Sequence, residues 1–270
     1  MRQVAILGAA RTPIGGFQGS LSALAAPDLG AAAIRAALAG AGIDAGRVDE
    51  VLMGCVLPAG QGQAPARQAA LAAGLPQGVP ATTVNKMCGS GMKAAMLAFD
   101  ALALGQADVI VAGGMESMSN APYLLPRMRA GARLGHAEAL DHMFLDGLED
   151  AYEEGRAMGS FAQETANAYQ LTRENMDDYS VESLRRANQA ISAGAFADEV
   201  VPVTVKTRKG EVTVDTDEQP PKGNPDKIRE LRAAFAKDGT ITAASSSSIS
   251  DGAAALVLAR ASVAKAKGAE

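Results

Sequence analysis

Apolar runs that predict strands and Ala/Leu-rich stretches that predict helices alternate at short spacing over the first part of the chain. "QVAILGA" (residues 3–9) is a nearly continuous apolar run and predicts a buried strand. "RTPIGGFQGS" (residues 11–20) is a Gly/Pro-rich loop. Residues 28–42 are Ala/Leu-rich, predict a helix, and end on glycines. "DEVLMGCVL" (residues 49–57) predicts a second strand and "APARQAALAAG" (residues 64–74) a helix with Pro near its start and Gly at its end. "ATTVN" (residues 81–85) is rich in β-branched residues and predicts a third strand. A helix follows to about Leu104, and "ADVIVAGGM" (residues 107–115) predicts a fourth strand.

The pattern changes after Met118. Residues 119–240 are more polar and irregular, with two predicted helices (residues 160–169 and 173–192) and two strand-like pieces (residues 200–205 and 211–214). The buried-strand pattern returns at Gly252 with "AAALVLA" (residues 253–259), and "ASVAKAKGAE" closes the chain as a helix. "VIVA" and "AAALVLA" lack alternation, which marks strands covered on both faces. The expected organisation is an α/β core of residues 1–118 and 241–270 with a mixed or mainly parallel sheet, interrupted by an inserted loop domain of residues 119–240.

Composition narrows the function classes. The chain has 270 residues, 48% apolar and 20% charged, with a formal charge of −5. That length supports a substantial core. The acidic balance argues against a nucleic-acid partner or a polybasic membrane role. Cys55 and Cys88 do not make a disulfide framework in a chain of this length, so a reducing compartment is expected. The apolar run at the start ends at Arg11, too short for a signal or a span, which leaves a cytoplasmic protein as the expectation.

The candidate chemistry lies in "VNKMCGSGMKAAMLAF" (residues 84–99), where a strand gives way to a helix. Beyond its first turn this helix carries only Lys93 and Asp100 as polar side chains before Leu104, so it is expected to be buried almost all round, with its N-terminus inside the protein or at the floor of a cleft. Cys88 sits at that N-terminus, where unpaired N–H groups and the helix dipole favour the thiolate, the nucleophilic form. Gly89 and Gly91 allow close approach of backbone or substrate. Position alone leaves two readings open: an activated nucleophile, or a small buried residue. Cys55, inside a strand with apolar neighbours, reads as packing.

"NKMCGSGMKA" resembles the active-site segment of the thiolases. "VAILGAARTPIGGFQGSL", "GQGQAPARQAALAAGLP", "ADVIVAGGMESMSNAPY", "MGSFAQETA" and "KDGTITAASSSSISDGAAALVL" match the same family in the same order, over essentially the whole chain. The subgroup most similar is the acetyl-CoA C-acetyltransferases; the 3-ketoacyl-CoA thiolases of fatty-acid breakdown share most of these residues. The resemblance implies a layered α/β fold of two βαβαβαββ halves, with a long loop domain inserted in the first. It implies that Cys88 is acylated by an acyl-CoA thioester, and that a second acetyl-CoA, deprotonated at its methyl carbon, attacks the acyl-enzyme. It further implies that the Cys88 amide helps hold an oxyanion. No cofactor is implied beyond the coenzyme A thioester substrates, no metal, and a homodimer or homotetramer as the assembly.

The family also uses a His in a "GHP"-type segment, a Cys in a "CxGGG"-type segment and an Asn in a "NEAF"-type segment, all in the second half. None occurs in these 270 residues, whose two histidines, His136 and His142, fall in the insertion. The sequence therefore reads as a thiolase first half: a fragment, a truncated gene or part of a split enzyme, with little or no turnover expected from it alone. A non-catalytic assembly module is the rival from another class. A nicotinamide-binding fold fails because "GAARTPIGG" stands where G-x-G-x-x-G is needed.

For coenzyme A, the resemblance assigns Leu148, Met158 and Phe235 to the pantetheine tunnel and Ser247 to a pantetheine contact. Residues 206–237 hold eight Lys/Arg and six Asp/Glu, a local excess that a solvated surface explains equally well. Three departures bear on this site. Ala157 precedes Met158 where the family often has His. "ASSSS" (residues 244–248) replaces a "GNASG" loop, so Ser245 stands for an Asn. An Arg after "DE" is absent, and Lys222 is expected to substitute as a point charge without the guanidinium fork.

Overall fold

Five of the apolar runs pair into one mixed sheet. The computed structural model describes residues 3–266. In chain order the main elements are β1 (Val4–Arg11), α1 (Ala26–Ala41), β2 (Glu50–Gly54), α2 (Pro65–Ala72), β3 (Ala81–Val84), α3 (Ser90–Leu104) and β4 (Val109–Ser117). There follow α4 (Met158–Ala168), α5 (Arg173–Ser192), β5 (Val203–Thr207), β6 (Gly210–Val214), β7 (Ser250–Arg260) and α6 (Ala261–Ala266). The remainder of the expected C-terminal helix, residues 267–270, lies outside the described residues.

The strand order is β1-β7-β4-β2-β3. β7 runs antiparallel to both β1 and β4, and β2 runs parallel to both β4 and β3. The absence of alternation in "VIVA" now has its cause. Val51, Met53, Val109, Val111, Ala255 and Val257 bury on one face with Leu29 and Ile34 of α1. Leu52, Ile110, Ala112 and Leu258 bury on the other with Ala94, Ala98 and Leu102 of α3. Each of the Val, Leu, Ile and Met side chains among them contributes about 1.5–3 kcal/mol on burial, the alanines less. Gly113 of β4 is required by this packing: a Cβ there would lie 2.0 Å from the Ala254 carbonyl of β7. α1 and α3 stop where Gly42 (φ 58°) and Gly105 (φ 76°) take the left-handed conformation and return their N–H groups to the last carbonyls.

One expectation fails. α3 is not buried all round. Ala94, Ala98 and Leu102 meet the sheet, while Met92 (73% exposed), Met96, Phe99 and Leu104 (70%) face away from it. The window Met87–Leu104 is long and apolar enough, by length and composition, to cross a membrane. The same composition follows from a helix with an Ala-rich face packed on strands and a second apolar face left exposed among the described residues.

The described residues divide into two units: 3–120, 196–218 and 250–266 in the first, and 121–195 with 219–249 in the second. Residues 196–218, which composition groups with the insertion, thus belong to the sheet-bearing unit. They are fastened there by Arg11, whose guanidinium donates to both Asp217 carboxylate oxygens (2.7 and 3.0 Å) and to Glu199 (2.6 Å). Val203 and Val205 of the β5–β6 hairpin join the core of that unit. In the second unit α4 and α5 are the long helices. Arg173 of α5 pairs with Asp177 (2.7 Å) and donates to the carbonyls of Ile228, Arg229 and Leu231.

Candidate active site

In the first unit three parallel strands, β4, β2 and β3, end side by side, and their C-terminal loops carry the polar chemistry. The Cys88 turn follows β3. Asn85 opens it: its Oδ1 accepts from the Met87 N–H (3.0 Å) and its Nδ2 donates to the Val56 carbonyl (3.4 Å). Met87 then adopts φ 49°, a left-handed conformation that costs a non-glycine residue roughly 1–2 kcal/mol. Ser90 closes the turn from the other side. Its Oγ accepts from the Lys86 N–H (2.8 Å) and donates to the Met87 carbonyl (2.6 Å). Cys88 is held between these two fixed side chains, exposed, two residues before the first residue of α3.

The helix start and the turn before it differ: Ser90, the first residue of α3, is buried, whereas Lys86, Met87 and Cys88 are exposed. The close approach expected of Gly89 and Gly91 falls mainly elsewhere. A Cβ on Gly91 would sit 3.6 Å from the nearest atom, an ordinary contact, whereas one on Gly54, at the end of β2, would lie 2.7 Å from Ser90 Cβ and 2.8 Å from the Gly91 nitrogen. Gly54 is what lets the start of α3 seat on the sheet.

Cys55 follows β2 and is 1% exposed. Its Sγ lies 3.5 Å from Glu116 Oε1, at the end of β4. The Glu116 carboxylate also accepts from the Val56 (2.8 Å) and Leu57 (3.0 Å) N–H groups. Burial first, and then the Glu116 charge, push the Cys55 thiol up to about 12. It is a neutral, packed thiol, as the sequence predicts. Glu116 was not singled out from sequence; a lone acidic residue directly after a buried apolar run was the available signal.

In the second unit the structure brings together three of the predicted residues. The Met158 N–H donates to the Leu148 carbonyl (2.8 Å), and the Phe235 ring lies over Gly159, where a Cβ would be 2.2 Å from the ring. Met158 and Phe235 are exposed and Leu148 is partly so. Gln163, nearly buried on α4, holds the segment that follows Phe235. Its Oε1 accepts from Thr240 (2.8 Å) and Ile241 (3.1 Å) N–H groups, and its Nε2 donates to Thr240 Oγ1 (3.1 Å). Ser247 and Lys222 occupy other segments of this unit, both exposed, Lys222 at the end of the short helix Gln219–Lys222. Ser245 fastens its own loop by accepting from the Thr242 N–H (2.9 Å). His142 is buried against Asp146 (Nδ1 to Oδ2, 2.6 Å), while His136 is exposed.

Comparison with known proteins gives a consistent result. The family model described as "Thiolase, N-terminal domain" matches residues 4–262. The chain is 52% identical over 270 residues to an acetyl-CoA acetyltransferase of Pseudomonas aeruginosa, covering 99% of this chain and 68% of that protein. It is 54% identical over 260 residues to acetyl-CoA acetyltransferase 2 of Arabidopsis thaliana (95% and 64%) and 50% identical over 267 residues to an acetyl-CoA acetyltransferase of Cupriavidus necator (98% and 68%). The chain thus spans about two thirds of the length of these relatives.

Proposed function

The chain belongs to the thiolase family, and on that premise we propose that it forms the acyl-accepting part of an acetyl-CoA C-acetyltransferase, with Cys88 as the acyl carrier. The observation that carries this reading is the Cys88 turn: an exposed thiol on a strained, doubly fastened turn at the start of α3. The Cys88 sulfur attacks the thioester carbonyl of acetyl-CoA. The carbon–sulfur bond to coenzyme A breaks, and the coenzyme leaves as a thiolate that takes a proton. A second acetyl-CoA then loses a methyl proton to a base, its carbanion attacks the acetyl carbonyl, and the bond to the Cys88 sulfur breaks, giving acetoacetyl-CoA and the Cys88 thiolate. The steps are reversible, and splitting the transfer in two lowers each barrier. Proton acceptors and donors for this chemistry we assign to the family's second-half His and Cys segments, which do not occur in these 270 residues; His142 is buried on Asp146.

Leu148, Met158 and Phe235 are proposed to contact the pantetheine arm, since an apolar arm needs an apolar lining and these three are clustered yet solvent-reachable. Ser247 and Lys222 are proposed to meet the polar parts of coenzyme A. No resident cofactor is needed. The enzyme is proposed to be cytoplasmic, which two free thiols support, and to assemble as a homodimer or homotetramer.

Exchange of labelled coenzyme A into acetyl-CoA tests the reading, because it needs only the first half-reaction and its reversal. Exchange that disappears in Cys88→Ser is expected. Exchange that survives in Cys88→Ser removes Cys88 from the mechanism.

A further inference from the structure

Glu116 does more than close the end of its own strand. Its carboxylate fixes the two N–H groups that follow Cys55, at Val56 and Leu57. The carbonyl of the same Val56 accepts from Asn85 Nδ2, and Asn85 Oδ1 in turn accepts from Met87 N–H, one residue before Cys88. A second link runs alongside, from the Cys55 N–H to the Val84 carbonyl (3.0 Å). The path Glu116, Val56, Asn85, Met87 therefore joins three strand ends and finishes at the residue whose left-handed conformation turns Cys88 outward. A left-handed non-glycine persists only where its surroundings over-determine it.

We propose that Glu116 is a positioning residue for the Cys88 thiol, acting through Val56 and Asn85, and that Asn85 is the link that delivers its effect. The inference rests on the proposed role of Cys88. Its physical content is geometric: without the carboxylate, the Val56 carbonyl moves, Asn85 loses its anchor, and Met87 relaxes, so the thiol samples many orientations. Misplacement of about 1 Å at a reacting atom costs up to about 100-fold in rate.

The test is the rate of Cys88 alkylation by iodoacetamide, read by peptide mass across neutral to alkaline pH, which needs neither coenzyme A nor acyl transfer. Glu116→Gln puts an amide NH2 where one backbone N–H now finds an acceptor. Asp49→Asn makes the same change at the opposite end of the sheet, where the Asp49 carboxylate accepts from Asp108 (2.7 Å) and Val109 (3.0 Å) N–H groups. Glu116→Gln and Asn85→Ala are each expected to slow Cys88 alkylation about 10-fold, the double variant no more than either alone, and Asp49→Asn to leave it within about two-fold. If Glu116→Gln does not fold, Asn85→Ala carries the test, its side chain being exposed. An unchanged rate in the folded variants, or equal slowing in Asp49→Asn, overturns the proposal. Failure of the coenzyme A exchange would remove the proposed function while leaving this readout standing.

Discussion

The two cysteines sit beyond the ends of neighbouring parallel strands, yet their surroundings oppose each other. Cys55 follows β2 directly, lies in the main core, and faces a carboxylate. Cys88 follows β3 by four residues, on a turn that two side chains hold away from the core. The same side chain is thereby a packed neutral group in one place and an accessible candidate nucleophile in the other. The loop after each strand, not the residue type, decides which.

The largest effect that sharpens this contrast is on transfer. Cys88→Ser is expected to lower coenzyme A exchange by on the order of 10³-fold or more, while urea unfolding moves by less than about 0.5 kcal/mol because the side chain is exposed. Next comes the seat of α3. Gly54→Ala places a Cβ against Ser90 and is expected to destabilise by about 1–3 kcal/mol in urea unfolding. It is also expected to slow Cys88 labelling, because Ser90 fastens the Cys88 turn.

Cys55 gives a pH signature of opposite sign to a salt bridge. Its folded-state pKa, about 12, lies above the unfolded value of about 8.5. Stability from the neutral thiol is therefore fully present below about 8.5 and is lost as pH rises toward about 12. Unfolding free energy measured across that alkaline range should fall in the parent chain, and Cys55→Ala should flatten the fall by on the order of 1 kcal/mol. Asp217 runs the other way. Burial alone would raise its carboxyl, but the Arg11 guanidinium, with the Ile14 N–H, holds it below its ordinary value. That contribution is present above the ordinary carboxylate pKa and is lost as pH falls below it. A comparable effect is expected at Met87: Met87→Val is expected to be about 1–2 kcal/mol less stable than Met87→Gly in urea unfolding, because only glycine takes φ 49° without strain.

The strands were legible because both faces of the sheet are covered, which turns Val109–Ser117 and Ser250–Arg260 into apolar runs. α3 was misread because composition cannot separate a helix enclosed on all sides from one with an Ala-rich face on a sheet and a Met/Phe face exposed. Asn85 and Ser90, which fasten the Cys88 turn, and Glu116, which holds the loop after β2, escaped because their partners are mainly backbone N–H and C=O groups, which leave no residue pattern. Leu148, Met158 and Phe235 came from family resemblance alone; their clustering depends on Gly159, whose missing side chain makes room for the ring. Residues 196–218 looked like part of the insertion, since the Arg11 contacts to Glu199 and Asp217 span about two hundred positions of sequence.

The most direct measurement incubates the folded chain with acetyl-CoA and maps acetyl groups on both cysteines by peptide mass. Acetyl is expected on the Cys88 peptide, absent from Cys88→Ser, and none on the Cys55 peptide. Acetyl on Cys55, or none on Cys88 in a chain shown to be folded, would contradict the proposed role of Cys88.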